Sequence, residues 1–236
     1  MGKRGQVTLF IIIGIVIVVV IALFLIVGRS SGNETTLGEK ISSDTEAIYD
    51  FTQDCVEQVG EDSLVLIAKQ GGNYKEHQDV VKVGSLNIAK FYSSYGGGPP
   101  SDGKIIDEIN LYFRDNFLNC VNYFQEFKTE GYTINYGDIF VNVNYYEDST
   151  LLKVDFPLKI KKGNEEVNYN QFEYKSDIPF LNLYNKAVGQ VRALLDSGVE
   201  WGLDTGIENG PDRCMLVDRD RMCKVTAGGY EFNYAI

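Results

Sequence analysis

Histidine is almost missing from this chain: His77 is the only one among 236 residues. One histidine excludes two-histidine zinc motifs. It lies in the polar run Tyr74-Lys75-Glu76-His77-Gln78, with no cysteine or serine set around it for nucleophilic chemistry. It reads as a solvated loop side chain. Basic residues are scarce as well, 22 Lys and Arg against 33 Asp and Glu, so the net charge is −11. Such a surface repels phosphate backbones and anionic headgroups, which excludes nucleic acid as a partner. Cysteine is limited to four residues, none of them in a CxxC pair. An even number without metal-ligand spacing favours disulfides in an oxidising compartment over zinc. Internal repeats are absent too.

One stretch lacks charge altogether. Val7 to Val27 is 21 residues of mostly Ile, Val and Leu on every helical face. At 1.5 Å per residue that run reaches about 30 Å, the thickness of a bilayer's hydrocarbon core. A cleaved secretory signal has a shorter apolar core, about 7–15 residues, and ends at small-x-small. Ile26-Val27-Gly28-Arg29 offers no such site. The expectation is a single-pass anchor over residues 1–28 that contacts lipid through 7–27. Lys3 and Arg4 precede the span and a lone Arg29 follows, which keeps the N-terminus cytoplasmic and sends the rest outward. Beyond the two N-terminal bases the chain carries −13. Asn33-Glu34-Thr35 is a glycosylation sequon on the outward side, at Asn33.

Residues 29–42, rich in Ser, Gly, Thr and charge, read as a flexible stalk, and 43–236 as an extracytoplasmic α+β domain. A helical period starts near Ser43 through Ile48, Phe51, Cys55, Val56, Val59, Leu64, Leu66 and Ile67. Asp44 is placed to cap it, Gly60 to bend or weaken it, and Gly71-Gly72 to stop it. Val80–Phe91 suits a helix or a strand. After Gly96-Gly97-Gly98-Pro99-Pro100, Ser101 caps a second helix running to about Lys128, with the stripe Ile106, Ile109, Phe113, Phe117, Cys120, Phe124 and Phe127. The period then changes to two. Ile139–Tyr145 and Leu152–Ile160 form a hairpin, and Val167–Tyr174 a third strand. A third helix covers Leu181–Leu195, with Leu181, Tyr184, Ala187, Val188, Val191 and Leu195 inward. Arg213–Val217 and Met222–Thr226 make a last hairpin before Gly228-Gly229 and a strand from Tyr230, which either pairs inward or leads on.

Four cysteines allow three pairings. Cys55 and Cys120 lie on the apolar stripes of two helices, and Cys214 and Cys223 flank one turn, so geometry favours Cys55–Cys120 with Cys214–Cys223. Acidic pairs such as Glu61-Asp62, Asp107-Glu108, Glu147-Asp148 and Glu165-Glu166 read as solvated charge at turns and on polar faces. Asp218-Arg219-Asp220-Arg221 lacks the ligand count and glycine of a calcium loop. No catalytic, cofactor-binding or metal residue stands out, so no enzyme is expected. Fifteen tyrosines are the compositional excess. Tyrosine on outer strand faces suits protein or glycan contact, against the plainer reading of amphipathic strand surface.

Lys3-Arg4-Gly5-Gln6-Val7-Thr8-Leu9-Phe10 resembles the archaeal type IV pilin signal. That resemblance implies cleavage between Gly5 and Gln6. The family's Glu at the fifth mature position is replaced here by Phe10, which removes the carboxylate that offsets a buried N-terminal amine in a filament. A broader likeness joins Gly5-Gln6-Val7-Thr8, Cys55 on a helix ending in Gln70-Gly71-Gly72, Cys120, and Phe156-Pro157-Leu158 before Lys161-Lys162-Gly163. It covers roughly residues 3–190 and resembles uncharacterised single-span surface proteins of small-genome archaea, whose members tend to run longer. The resemblance implies a surface location and disulfides, and no activity. The functional expectation is a membrane-anchored surface protein with a structural or binding and adhesion role. A pilin-like filament subunit is the alternative, and a tethered wall or glycan hydrolase the third.

Overall fold

The computed structural model describes residues 43–75, 79–92, 98–196, 213–217 and 220–236. The expected anchor at 7–27, the Gly5/Gln6 cleavage site, the stalk, Asn33, His77, Asp218 and Arg219 lie outside those residues. Among the described residues no helix is long and apolar enough to cross a membrane.

Helix α1, Ser43–Lys69, follows its apolar period: Ile48, Cys55, Val56, Val59, Leu64 and Ile67 are buried, with Thr52 and Ser63 on the same face. Thr52 and Ser63 return their hydroxyls to the carbonyls of Ile48 and Gly60. Asp44 lies inside the first turn of the helix. The helix runs unbroken through Gly60, whose role is contact. A Cβ there would stand 2.8 Å from Tyr174 Cδ1 and 3.1 Å from Leu152 Cδ1. The bare backbone lets the helix settle onto the sheet.

Gly71 and Gly72 do end the helix, at φ +69° and +88°. They also sit in a junction, because a Cβ on Gly71 would meet the Asn233 carbonyl at 2.8 Å and one on Gly72 would meet Pro100 Cγ at 2.8 Å. The ambiguous segment that follows is a hairpin, β1 (Val80–Val83) and β2 (Leu86–Ala89).

Helix α2, Asp102–Cys120, begins where expected, with the Ser101 hydroxyl accepting from the Lys104 N–H at 3.3 Å. It does not continue to Lys128. After Val121 the chain takes three left-handed residues, Asn122, Tyr123 and Phe124, at φ 45°, 50° and 57°. A short α3, Gln125–Thr129, follows. Left-handed backbone costs an L-residue about 1–2 kcal/mol. Burial of Val121 and Phe124, each almost wholly inside the core, offsets that cost. The inward stripe of α2 also starts one residue early: Ile105, Ile109, Phe113 and Phe117 are buried, while Ile106 is half-exposed.

The main sheet is antiparallel and built on one long strand, β5 (Thr150–Lys162). Strand β6 (Glu165–Ser176) pairs along one side of it. The other side is shared by two short strands, β3 (Thr133–Tyr136) and β4 (Phe140–Tyr145). The alternation in β5 puts Leu152, Val154, Phe156, Leu158 and Ile160 inward and Lys153, Lys159 and Lys161 outward. Pro157 sits mid-strand because the ladder is irregular there. Its register with β6 shifts between Asp155 and Leu158, and β3 gives way to β4 on the opposite side.

Helix α4, Phe180–Asp196, completes this layer with a different inward set from the expected one. Phe180, Leu183, Ala187 and Val191 are buried, whereas Leu181 is half-exposed and Leu195 exposed. Phe180 makes the difference, stacking on Tyr145 at 5.9 Å and meeting Phe232 edge-on at 5.7 Å. The third sheet orders β7 (Arg213–Val217), β8 (Asp220–Ala227) and β9 (Tyr230–Ala235). Strand β9 pairs inward, with Phe232, Tyr234 and Ala235 fully buried.

Two disulfides are formed, Cys55–Cys120 between α1 and α2, and Cys214–Cys223 between opposed residues of β7 and β8. The architecture is thus α+β, with helices packed on antiparallel sheets and tied by cystines.

Candidate binding cleft

Among the described residues, the tyrosines do not decorate the outer sheet face. Tyr132 and Tyr234 are buried, Tyr169 packs on Tyr49 at 4.9 Å, Tyr174 lies over Gly60, and Tyr145 lies on Phe180. The outer face instead carries paired charge and amide: Lys153–Glu173 at 3.1 Å, Lys159–Glu166 at 2.6 Å, and Asp155 accepting from Asn142 and Gln171, each at 3.0 Å. Phe140, 54% exposed, stands alone there. Of the two readings of the tyrosine excess, the placement of these rings fits the plainer one, an amphipathic strand surface. A sheet packed against helices on one side draws its amphipathic rings inward, where the area is worth most.

These inward rings shape the response to alkali. Burial pushes the Tyr145 hydroxyl well above the ordinary tyrosine range. Tyr174 is pushed up to about 12, first by burial and then by its hydroxyl donating to Glu61 at 2.7 Å. Unfolded tyrosines ionise near pH 10. Between there and the raised native values, unfolding releases protons, so stability is intact below about pH 10 and falls as pH rises toward 12. Urea midpoints measured across that window will fall steadily. Tyr174→Phe will reduce the slope.

Acidic residues expected to be solvated are in part structural. Glu108 is 3% exposed, and its Oε2 accepts the N–H groups of Tyr74 and Lys75 at 3.0 and 3.1 Å. Lys104 approaches its other oxygen at 3.4 Å. Glu61 accepts from both Tyr174 and Ser176 at 2.7 Å. Asp62, Asp107, Glu147, Asp148, Glu165 and Glu166 are exposed, as expected.

Asn110 is a further buried polar group that periodicity hides within an apolar stripe. Its amide oxygen accepts from the Val141 N–H at 2.7 Å, and its nitrogen donates to the Val141 carbonyl at 2.9 Å. It thereby seals the free edge of β4. Asn110→Ala will strand both backbone groups and cost about 2–3 kcal/mol, read as a lower urea midpoint.

A concavity with unengaged chemistry lies where the β4–β5 turn faces α4. Tyr145, Tyr146 and Glu147 form one wall and Leu181, Asn182, Asn185 and Lys186 the other, around about 600 Å³. That is within the roughly 300–1,000 Å³ range of small-ligand sites. The local sequence explains both walls. Tyr146 closes the turn, its N–H donating to the Ser149 carbonyl at 2.9 Å, which leaves its ring 50% exposed. On α4, Asn182 lies three positions from Asn185 and four from Lys186, and Leu181 four from Asn185, spacings that place them along one side of the helix. Lys186 Nζ donates to the Thr226 carbonyl at 3.1 Å. Among the described residues, nothing engages the side chains of Asn182, Asn185 or Glu147. A second concavity, about 460 Å³ below Gly137, is lined by Arg114, Leu118, Asp138, Ile139 and the core rings Phe117, Tyr136 and Phe156. Among the described residues, no group of three or more His, Cys, Asp or Glu is gathered as a metal would require.

No protein-family model, curated protein or solved structure matches this chain. Its functional reading rests on its own residues.

Proposed function

We propose that this protein is a cell-surface module. Residues 7–27 hold it in the membrane with the N-terminus cytoplasmic, residues 29–42 form the spacer, and the disulfide-bonded α+β unit lies outside in a structural or binding role. The observation that carries this reading is the pair of disulfides closed within one unit, which leaves no free cysteine. Disulfides persist in oxidising compartments and are rare in the cytosol. The basic pair Lys3 and Arg4 ahead of an uncharged 21-residue run supports the same orientation.

Intact mass of the unreduced protein from native membranes, combined with protease shaving of whole cells, tests it. The expected result is a mass lacking four hydrogens and an external unit that shaving releases. Free thiols with a protected unit would overturn the reading. The resemblance of Gly5-Gln6 to a pilin cleavage site supplies a second arm, because loss of Met1–Gly5 would shift the assignment to a filament subunit despite Phe10.

A further inference from the structure

We infer that the cleft between the β4–β5 turn and α4 binds a neutral saccharide, an inference that rests on the surface-module reading and names its ligand class. A pyranose has a flat C–H face and an equatorial rim of hydroxyls, each both donor and acceptor. The Tyr146 ring, half exposed at the mouth, offers the matching apolar plane. Asn182 and Asn185, one turn apart on α4, offer planar amides that donate and accept side by side, which is what neighbouring hydroxyls require. Glu147 adds an acceptor opposite them. These three side chains are unengaged among the described residues, whereas the polar groups of the outer sheet face are largely paired with one another.

The same features argue against other ligands. Lys186 is the one cation of the lining, and Glu147 of the opposite wall carries the matching negative charge, so the lining has no net charge to draw phosphate or carboxylate. An apolar helix or peptide seated in the cleft would bury two amides and a carboxylate without partners, a cost of several kcal/mol. A neutral polyhydroxyl ligand satisfies the amides and covers the ring at once.

The test is saturation-transfer NMR on the full chain in a detergent without a sugar headgroup. The probes are methyl hexopyranosides and N-acetylglucosamine, alongside glucuronate and glucosamine. Transfer to the neutral sugars is expected, with affinity about tenfold weaker in Tyr146→Ala and in the Asn182→Ala/Asn185→Ala double variant. Phe140→Ala, which removes the isolated exposed ring of the outer sheet face, will leave binding unchanged. No transfer to any sugar, or transfer that the cleft variants leave intact, would overturn the inference. Neither result touches the membrane location, which mass and shaving decide separately.

Discussion

Replacing Cys55 and Cys120 together by alanine will lower the unfolding free energy by about 4 kcal/mol, the loop-closure entropy of a crosslink between residues 65 apart. The loop it closes contains the end of α1, the β1–β2 hairpin and nearly all of α2. In the chain-entropy model the stabilisation is set by the length of that loop in the unfolded chain, whatever structure the segment holds when folded. Alanine suits Cys55, which is 4% exposed, because it buries no new polar group. Cys214–Cys223 spans only 9 residues and joins strands already held in register, so its removal will cost about 2–3 kcal/mol at most. Urea unfolding without reductant separates the two. Equal losses from the two bonds would contradict the loop-length argument.

Glu108→Ala comes next, with an expected loss of about 3–4 kcal/mol. The carboxylate ties α2 to the segment that follows α1, and its removal leaves two backbone N–H groups, those of Tyr74 and Lys75, without their acceptor. Hydrogen bonds to a charged group contribute about 1.5–3 kcal/mol each, and because the two donors are only partly buried, water recovers part of the loss. The partly exposed ion pair with Lys104 adds little. Glu108→Gln keeps one oxygen that can accept from both donors, so its loss will be roughly half as large. Urea midpoints give the ranking, and amide exchange at Tyr74 and Lys75 gives the cause. Exchange there should accelerate in the alanine variant far more than at sites elsewhere in the sheet.

Legibility in the sequence followed how much of each element is decided by burial. The alternation of β5 reads correctly because a one-residue slip would turn Leu152, Val154, Phe156, Leu158 and Ile160 to solvent. The disulfide pairing reads correctly because Cys55 and Cys120 each lie on the apolar stripe of a helix, and because Cys214 and Cys223 flank one turn. Adjacent apolar residues defeat the same reasoning. Ile105 and Ile106 fit one period equally well, and only packing against Gly72 selects Ile105. Phe180 and Leu181 present the same ambiguity.

The left-handed turn at Asn122–Phe124 leaves no trace in composition, since no glycine marks it. Tertiary burial of Phe124 overrides the local preference for continuing the helix. Strand β3 leaves no readable alternation, because four residues carry too little period to register. Glu108 and Asn110 look like ordinary polar helix positions, and their bonds reach 33 or more and 31 residues away in sequence. The cleft was legible only as scattered Tyr, Asn and Glu, because its two walls come from different elements.

Strand β9 also dictates the order of events during synthesis. The Phe91 N–H donates to the Ala235 carbonyl at 2.7 Å, the Asn233 amide donates to the Lys69 carbonyl at 3.0 Å, and Phe232 meets Phe91, Phe180 and Tyr184. A chain emerging from its N-terminus therefore exposes the end of α1, the hairpin and one side of α4 until residues 230–236 arrive. Cys55 and Cys120 are both made long before that closure. A crosslink formed at that stage would act as a placeholder, holding two helices together while more than a hundred further residues are made.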